Sequence, residues 1–262
     1  MANELLVTRD VTIRFGGLTA VSDFNLAIRP HELIGLIGPN GAGKTTVFNI
    51  LTGVYKPSDG TIEISGVPTA DLKPYAITAL GVARTFQNIR LFKELTVLDN
   101  VKIGGHIHYA YSGTSAVLHT NRFQKAEQIA EDEALRLLSI FGLESRARYR
   151  AKNLPYGDQR RLEIARALAA RPKLLLLDEP AAGLNDRETH NLMNTIHDIR
   201  DRFNIAILLI EHHMELVMGI CERILVLNFG KTISQGTPEQ VRADPVVIEA
   251  YLGEPAEDAT LI

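Results

Sequence analysis

The sequence predicts an α/β fold that combines a mixed core sheet with a helical lobe, and three observations support this prediction. Short apolar runs alternate with helical segments from Lys173 onward, as they do in parallel β-α units. A glycine-rich loop near residue 40 lies between an apolar run and a helical segment. Residues 88–153 contain few β-branched runs and show long helical periodicity instead. We therefore assign residues 1–87 and 154–262 to a core and residues 88–153 to a helical subdomain.

Residues 5–38 are predicted as strands, because their apolar runs are separated by short polar or glycine breaks. The three runs are LLVTRDVTIRF at 5–15, AVSDFNLAI at 20–28 and LIGLIG at 33–38. We then expect a helix, a turn, a strand and a short helix, at Lys44–Leu51, 56–60, 61–66 and Pro74–Leu80 respectively.

The later elements follow from the same patterns. Residues 124–141 are predicted as one long helix, and residues 108–121, which are rich in small and polar types, as a loop. Helical spacing resumes at about Asp158. The remaining predicted elements are strands at 174–178, 205–211 and 223–229, and helices over Asp186–Phe203 and His213–Cys221.

Composition and charge exclude several classes of protein. With 262 residues, of which 45% are hydrophobic, the chain can bury a sizeable core. A formal net charge of −3 provides no global basic field, so no nucleic-acid partner is expected. The single cysteine cannot form an internal disulfide and the amino terminus lacks a signal-peptide pattern, so we expect a cytoplasmic chain. Its apolar runs are far shorter than the roughly 20 residues that span a bilayer, and any membrane part is expected on another chain.

The strongest local signal is the segment GPNGAGKTT, which fits the pattern G-x-x-x-x-G-K-[ST] between a strand and a helix. Its backbone N–H groups would surround a β-phosphate, Lys44 would neutralise β- and γ-oxygens, and the Thr45 hydroxyl would hold Mg²⁺. A chance glycine turn is the weaker interpretation, because both flanking elements fit the mechanism. The predicted phosphate-binding residues are Gly38, Pro39, Asn40, Gly41, Ala42, Gly43, Lys44, Thr45 and Thr46.

A second signal is LLLLDEP at 174–180, where a buried strand ends in two adjacent carboxylates. Asp178 would face the Mg²⁺ shell, and Glu179 could polarise the water that attacks a γ-phosphate. A solvated acidic turn is the alternative, and the phosphate loop makes it the less favoured one.

A third segment, LPYGDQRRLEIARAL at 154–168, leaves glycine backbone at the start of an amphipathic helix. The N–H groups at a helix amino terminus attract anions, so a negative group is expected there. Arg160 and Arg161, further along this helix, are interpreted as a solvated face or as partners of acidic neighbours rather than as phosphate or RNA ligands.

With these motifs in this order, the chain resembles the ATP-binding subunits of ABC transporters over essentially its whole length. The resemblance implies a P-loop ATPase core with amino-terminal antiparallel strands, beside a helical lobe. It also implies that Phe15 stacks on adenine and that Gln87, in ARTFQNIR, contacts Mg²⁺ and couples to the membrane subunits. His212, in LLIEHHM, would contact the γ-phosphate, so that Lys44, Glu179 and His212 form the implied catalytic set.

The segment LPYGD matches the position of the family signature LSGGQ, whose helix amino terminus caps the γ-phosphate of ATP held by the opposite subunit. The resemblance therefore assigns Tyr156, Gly157 and Asp158 to that phosphate. Pro155 and Tyr156 replace Ser and Gly, so the serine hydroxyl contact cannot be made. Two outcomes stay open: Pro155 makes the loop rigid, or Asp158 repels the phosphate unless its side chain turns away.

His212 and His213 also raise the question of a metal site. Adjacent residues at a strand end point apart, and no cysteine or spaced histidine accompanies them. Metal binding by this pair is therefore disfavoured, and His213 has no assigned role.

A finer resemblance, carried by the Tyr-Gly signature, DEPAAGLN and the tail DPVVIEAYLGE, is to the first ATPase subunit of importers for branched-chain and other neutral amino acids. It implies ATP and Mg²⁺ as cofactors and a location at the cytoplasmic face of the inner membrane. The implied partners are two transmembrane permease subunits, a second ATPase in a head-to-tail dimer and, indirectly, a periplasmic or extracellular substrate-binding protein. Alternatives are an ABC ATPase for urea or amides, one for lipopolysaccharide export, a soluble ABC-type ATPase, and a kinase that uses the same loop.

Overall fold

The computed structural model describes residues 4–109, 113–118 and 120–252. The chain folds into two compact units: Met1–Arg84 with Lys173–Ile262, and Thr85–Pro172. The boundaries between these units lie at residues 84/85 and 172/173, whereas the boundaries predicted from the sequence lie at 87/88 and 153/154. The second boundary differs because the helix at 156–169 packs with the helical unit. The sequence-based division stays a prediction.

The strands of the described residues all lie in the first unit, where they form two sheets. They are β1 (Leu6–Phe15), β2 (Leu18–Ile28), β3 (Leu33–Ile37), β4 (Asp59–Ile64), β5 (Val67–Pro68), β6 (Val82–Arg84), β7 (Leu174–Asp178), β8 (Ala206–Ile210), β9 (Arg223–Asn228) and β10 (Lys231–Gly236). Four of them form an antiparallel sheet in the order β2-β1-β4-β5. Leu6 and Thr8 alternate into the core, and a register shift between Thr8 and Val11 lets Val11 and Ile13 be buried as well, which confirms the predicted strand.

The second sheet has the order β10-β9-β3-β8-β7-β6, and only β10 runs antiparallel to its neighbour. Every residue of β3, β7 and β8 is buried, because helices and the other sheet leave neither face to water. The predicted mixed core sheet is thus confirmed. Since β3, β8 and β7 are parallel, the residues that follow them meet at one sheet edge.

In the first unit a helix follows each of the parallel strands β3, β7 and β8, and the helices of the second unit form the helical lobe. They are α1 (Lys44–Leu51), α2 (Pro74–Ala79), α3 (Val97–Gly104), α4 (Gly113–Val117), α5 (Asn121–Ile140), α6 (Tyr156–Ala169), α7 (Asp186–Phe203), α8 (Met214–Ile220), α9 (Pro238–Ala243) and α10 (Pro245–Leu252). Helices α3 to α6 belong to the second unit. The predictions for α1 and α7 are confirmed at both ends, and a capping box between Asn185 and Glu188 fixes the start of α7.

In the second unit, α5 lies against α3 and α6. It buries Ala130, Ala134 and Leu138 along one face, which confirms the periodicity of the predicted helix. The loop predicted over 108–121 is wrong in part, because α4 lies within it. Five residues are too few to show a helical period, and the hydrogen bond from Thr120 N to the Ser115 carbonyl oxygen folds the chain back after them. Positions 110–112 and 119 lie outside the described residues.

A close approach of α3 to α6 depends on Gly104. A Cβ atom at this position would lie 2.2 Å from the Arg166 carbonyl oxygen, which no side chain tolerates. We expect Gly104→Ala to destabilise the protein by about 1–3 kcal/mol through overpacking, although alanine favours helix by about 1 kcal/mol. Urea unfolding measures the change. Gly17→Ala, where no atom lies within 4 Å of the new Cβ, is the control, and equal midpoints for the two variants would contradict the close approach.

Candidate active site

The glycine-rich segment connects β3 to α1, as predicted, and closes around the Lys44 side chain. Lys44 is buried, and its Nζ donates to the carbonyl oxygens of Gly38 at 2.5 Å and Pro39 at 2.8 Å. Gly38 has a φ of +147°, and a Cβ atom there would lie 1.9 Å from the Leu227 carbonyl oxygen. The loop can therefore pass this close to β9 only with glycine at its first position.

The start of α1 is suited to an anion. Its N-cap is Gly43 in a left-handed conformation, which provides no side chain to cap the helix. Backbone N–H groups of the first turn and the helix dipole favour negative charge at this end. Thr45 lies exposed in that first turn and Thr46 is half-buried. The electrostatics at this end of α1 therefore favour an anion such as a phosphate group.

Asp178 ends β7, as predicted, and its buried carboxylate is bound by an arginine that the sequence analysis missed. Arg84 Nη2 donates to Asp178 Oδ2 at 2.6 Å, and Arg84 Nη1 donates to Asn49 Oδ1 of α1 at 2.7 Å. The same guanidinium lies 5.3 Å from the centre of the Phe48 ring. Arg84 thus links the helix after the phosphate loop to the acidic end of β7. In the sequence, the one indication of this role was that Arg84 ends a short apolar run.

The donor groups near the phosphate loop suit Mg²⁺. The Thr45 hydroxyl and the Asp178 carboxylate are hard oxygen donors from α1 and from the end of β7. Within the described residues, no group of three or more His, Cys, Asp or Glu side chains is placed to hold a metal ion. Mg²⁺ needs no such cluster, because it is held by one or two protein oxygens together with phosphates and water.

Glu179, the residue after Asp178, has an unusual backbone conformation. Its φ is +46°, a left-handed value that costs roughly 1–3 kcal/mol for a residue other than glycine. Its N–H donates to the Ile210 carbonyl oxygen at 2.9 Å. The carboxylate is mostly buried and its Oε1 lies 3.1 Å from Nε2 of His212, whose ring is more exposed. The fold thus brings together Glu179 and His212, two of the three residues that the resemblance implied as catalytic.

Glu211, which the sequence analysis did not single out, organises the chain around this pair. Its buried carboxylate accepts hydrogen bonds from the N–H groups of Ala181 at 2.7 Å and His212 at 3.1 Å. Burial raises the pKa of Glu211. Because these bonds join the end of β8 to the segment after Glu179, Glu211 fixes the backbone on both sides of the Glu179–His212 pair. A glutamate directly after the apolar run of β8 was its only sequence signal.

Phe15 lies at the end of β1 with 44% of its surface exposed. Tyr55 packs edge-on against it, with 5.1 Å between the ring centres. Edge-to-face packing fixes the orientation of the Phe15 ring. The first unit thus presents an oriented, partly exposed aromatic ring, as adenine stacking requires.

The second unit contains the remaining predicted site residues. Helix α6 begins at Tyr156, with Pro155 as its N-cap, about two residues before the predicted start. Tyr156 is exposed, Gly157 is half-buried and Asp158 is buried. Pro155 has no side-chain hydrogen bond to give, so the N–H groups of the first turn receive no cap from it.

The structure answers the open question about Asp158. Its carboxylate forms salt bridges with Arg146 and Arg161, one to each oxygen, and only 6% of the side chain is exposed. The side chain is therefore turned toward two cations, which offset its negative charge.

Gln87 is exposed, and its backbone carbonyl oxygen accepts a hydrogen bond from Arg160 at 2.5 Å. The interpretation of Arg160 as part of a solvated face is wrong, because only 4% of its side chain is exposed and it pairs with Glu163. The alternative interpretation, a partner of an acidic neighbour, is the one that holds for both Arg160 and Arg161.

Comparison with known proteins gives two matching family models and a set of similar transport proteins. A family model described as "ABC transporter" matches residues 21–182, and one described as "Branched-chain amino acid ATP-binding cassette transporter" matches residues 231–257. The high-affinity branched-chain amino acid transport ATP-binding protein LivG of Escherichia coli K12 is 50% identical over 254 residues, which cover 97% of this chain and all of LivG. Across the described residues, no helix is long and apolar enough to cross a membrane.

Solved structures agree with this assignment. The ADP conformation of MJ1267, an ATP-binding cassette of an ABC transporter, superposes with a TM-score of 0.82 at 29% identity, over 96% of this chain and 99% of that one. The dimeric, post-hydrolysis structure of the ATP-binding cassette MJ0796 with ADP and phosphate gives 0.75 at 26% identity, over 89% and 98%. Sequence, fold and site geometry together show that the chain belongs to the ABC transporter family, as an ATP-binding cassette of the kind that hydrolyses ATP.

Proposed function

We propose that the chain is the ATP-hydrolysing subunit of an importer for branched-chain or other neutral amino acids. The observation that carries the substrate class is the match of residues 231–257, because this tail lies outside the segment matched by the general ABC model. The 50% identity to LivG over nearly the whole chain supports the same class. Urea, amide and lipopolysaccharide systems are the second choice. They would share the ATP chemistry, but the lipopolysaccharide export ATP-binding protein LptB of Haemophilus influenzae is only 34% identical to this chain, against 50% for LivG.

In the proposed mechanism, ATP binds to the first unit through Gly38–Thr46, with adenine on Phe15. Lys44 neutralises β- and γ-oxygens, and Thr45, Asp178 and Gln87 contribute oxygen donors for Mg²⁺. Mg²⁺, when bound with ATP, offsets the charge that develops on the transferred phosphoryl group. Arg84 keeps the Asp178 carboxylate in place, as their 2.6 Å hydrogen bond supports.

Hydrolysis would then depend on the Glu179–His212 pair. The Glu179 carboxylate accepts a hydrogen bond from the attacking water and takes its proton as the oxygen bonds to the γ-phosphorus, while ADP leaves. His212 Nε2, 3.1 Å from Glu179 Oε1, orients that carboxylate and reaches the γ-phosphate. The strained φ of Glu179 supports this role, because strain of this kind is concentrated at functional sites.

The complete enzyme would be a head-to-tail dimer in which the backbone N–H groups of Tyr156, Gly157 and Asp158 cap the γ-phosphate bound by the opposite subunit. The dimeric structure of the relative MJ0796 supports such an arrangement. The partner cassette is an identical or homologous chain. Dimer closure and reopening would drive two permease subunits at the cytoplasmic face of the membrane, and a separate binding protein would deliver the amino acid.

Glu179→Gln should slow ATP hydrolysis by roughly 10² to 10⁴, because the amide cannot accept the proton, while ATP binding is retained. Steady-state hydrolysis and equilibrium binding of a fluorescent ATP analogue separate the two effects. Glu215→Gln, an exposed glutamate in α8, is the control. Equal hydrolysis rates for wild type and Glu179→Gln would rule out Glu179 as the base.

The compensation of Asp158 predicts unequal effects of two neighbouring charge changes. Asp158→Asn removes a charge that is already offset, so hydrolysis should fall by less than about twofold. Arg146→Gln weakens that compensation beside the γ-phosphate and should lower hydrolysis by about two- to tenfold. Arg148→Gln, an exposed neighbour, is the control, and the reverse order of the first two effects would contradict the proposed compensation.

The transport assignment is tested by gentle affinity purification of the tagged chain from detergent-solubilised membranes, followed by mass spectrometry. We expect two very hydrophobic subunits and a second ATPase to accompany it. Vesicles that contain the recovered complex should take up radiolabelled leucine when ATP and the separate binding protein are supplied. Recovery with ribosomal or DNA-repair proteins and no membrane subunit would overturn the transport role while leaving ATP hydrolysis intact.

A further inference from the structure

The second unit contains a buried ion pair inside α6 that no step of the proposed hydrolysis uses. Arg160 Nη1 lies 3.3 Å from Glu163 Oε2, and the two side chains are only 4% and 1% exposed. Burial raises the pKa of Glu163. Removing two charges from water is costly unless further hydrogen bonds satisfy their remaining donors and acceptors. The other partners of this pair are therefore informative.

Those partners are the backbone groups of residues 86–90. Arg160 donates to the carbonyl oxygens of Phe86 at 2.8 Å and Gln87 at 2.5 Å. In return, Glu163 Oε1 accepts hydrogen bonds from the N–H groups of Phe86 at 3.4 Å and Arg90 at 3.3 Å. Both charges of the pair thus bind the same short piece of chain.

Residues 86–90 form neither helix nor strand. Buried backbone polar groups need partners, and here the side chains of α6 provide them in place of a sheet or helix ladder. Arg160 also donates to the Tyr156 hydroxyl at 3.1 Å, in the first turn of α6. One guanidinium therefore contacts both the start of α6 and the backbone of Gln87.

We infer that Arg160 and Glu163 are positioning residues that fasten residues 86–90 to α6, so that Gln87 and the first turn of α6 move as one body. The inference deepens the proposed function, on which it rests: there, Gln87 serves the ATP of its own subunit, and the start of α6 serves the ATP of the opposite subunit. A rigid link between them makes each ATP site sensitive to occupancy of the other. Arg160 and Glu163 thereby contribute to cooperativity between the two sites.

The fastening itself is tested by residue-level hydrogen exchange of the full chain without nucleotide. Glu163→Ala removes the acceptor of two N–H groups, so the amides of Phe86 and Arg90 should exchange at least about tenfold faster. Glu131→Ala in α5, a half-buried glutamate of the same unit, should leave both amides unchanged. Unchanged exchange of Phe86 and Arg90 in Glu163→Ala would overturn the inference.

A second variant keeps the test decisive if a lone buried arginine prevents folding. Arg160→Gln/Glu163→Gln removes both charges together, and a neutral pair is often tolerated where a single uncompensated charge is not. We expect this double variant to melt at a higher temperature than Glu163→Ala and to exchange Phe86 and Arg90 faster than wild type. Wild-type exchange rates in the double variant would show that the ion pair does not hold the segment.

Coupling is then measured as the ATP dependence of hydrolysis by the complex recovered from membranes. In complexes that contain Glu163→Ala or the double variant, the Hill coefficient of hydrolysis should fall from about 2 toward about 1. Binding of ATP to the isolated variant chain should be retained. Faster exchange with an unchanged Hill coefficient would support the attachment of residues 86–90 to α6 but contradict its role in coupling the two ATP sites. Absence of ATP hydrolysis by the wild-type complex would instead contradict the proposed function. The two failures can be told apart, because the exchange experiment needs no nucleotide and tests the attachment of residues 86–90 independently.

Discussion

Burial of three parallel strands is the constraint on which the site of the first unit depends. Strands β3, β8 and β7 are adjacent in the core sheet and buried throughout, so their register is fixed by packing on both faces. Their carboxyl ends consequently open at one edge, where the phosphate loop, Glu211 and the Asp178–Glu179 pair follow. Side chains that are far apart in the sequence are brought together by strand order alone. The positions of the reactive groups are thus a consequence of hydrophobic burial.

The same burial creates an electrostatic problem, because the chain at or after the end of each strand contains a charged side chain with little access to water. Each charge is satisfied locally and at short range. Lys44 donates to two loop carbonyl oxygens, Arg84 binds Asp178, and Glu211 accepts backbone N–H groups. A buried charge with its partner in place holds one geometry, since any displacement loses the interaction without regaining water. These contacts therefore rigidify the site before any phosphate binds, which lowers the reorganisation needed for catalysis.

The sequence predicted those parts of the site whose geometry is local. The spacing of glycines and Lys44 implies a loop between a strand and a helix, and α1 begins at that lysine. Contacts across long stretches of chain carry no such pattern. Arg84 and Asp178 are 94 positions apart, and neither residue type reveals the other. Arg160 is a second example. Helical spacing predicts on which face of α6 its side chain lies, but not that residues 86–90 pack against that face.

Asp158 shows how an unfavourable residue in a motif can be accommodated by its surroundings. One of its partners, Arg161, is one helical turn away and lies within reach of sequence reasoning, whereas Arg146 follows α5 and is placed by the fold. Two arginines and one carboxylate leave a net charge of about +1 beside a helix terminus that adds roughly half a positive charge. The start of α6 therefore stays attractive to phosphate despite the acidic side chain. Because both guanidinium groups are about half exposed, solvent moderates this field, and the backbone N–H groups supply the directional part of the interaction.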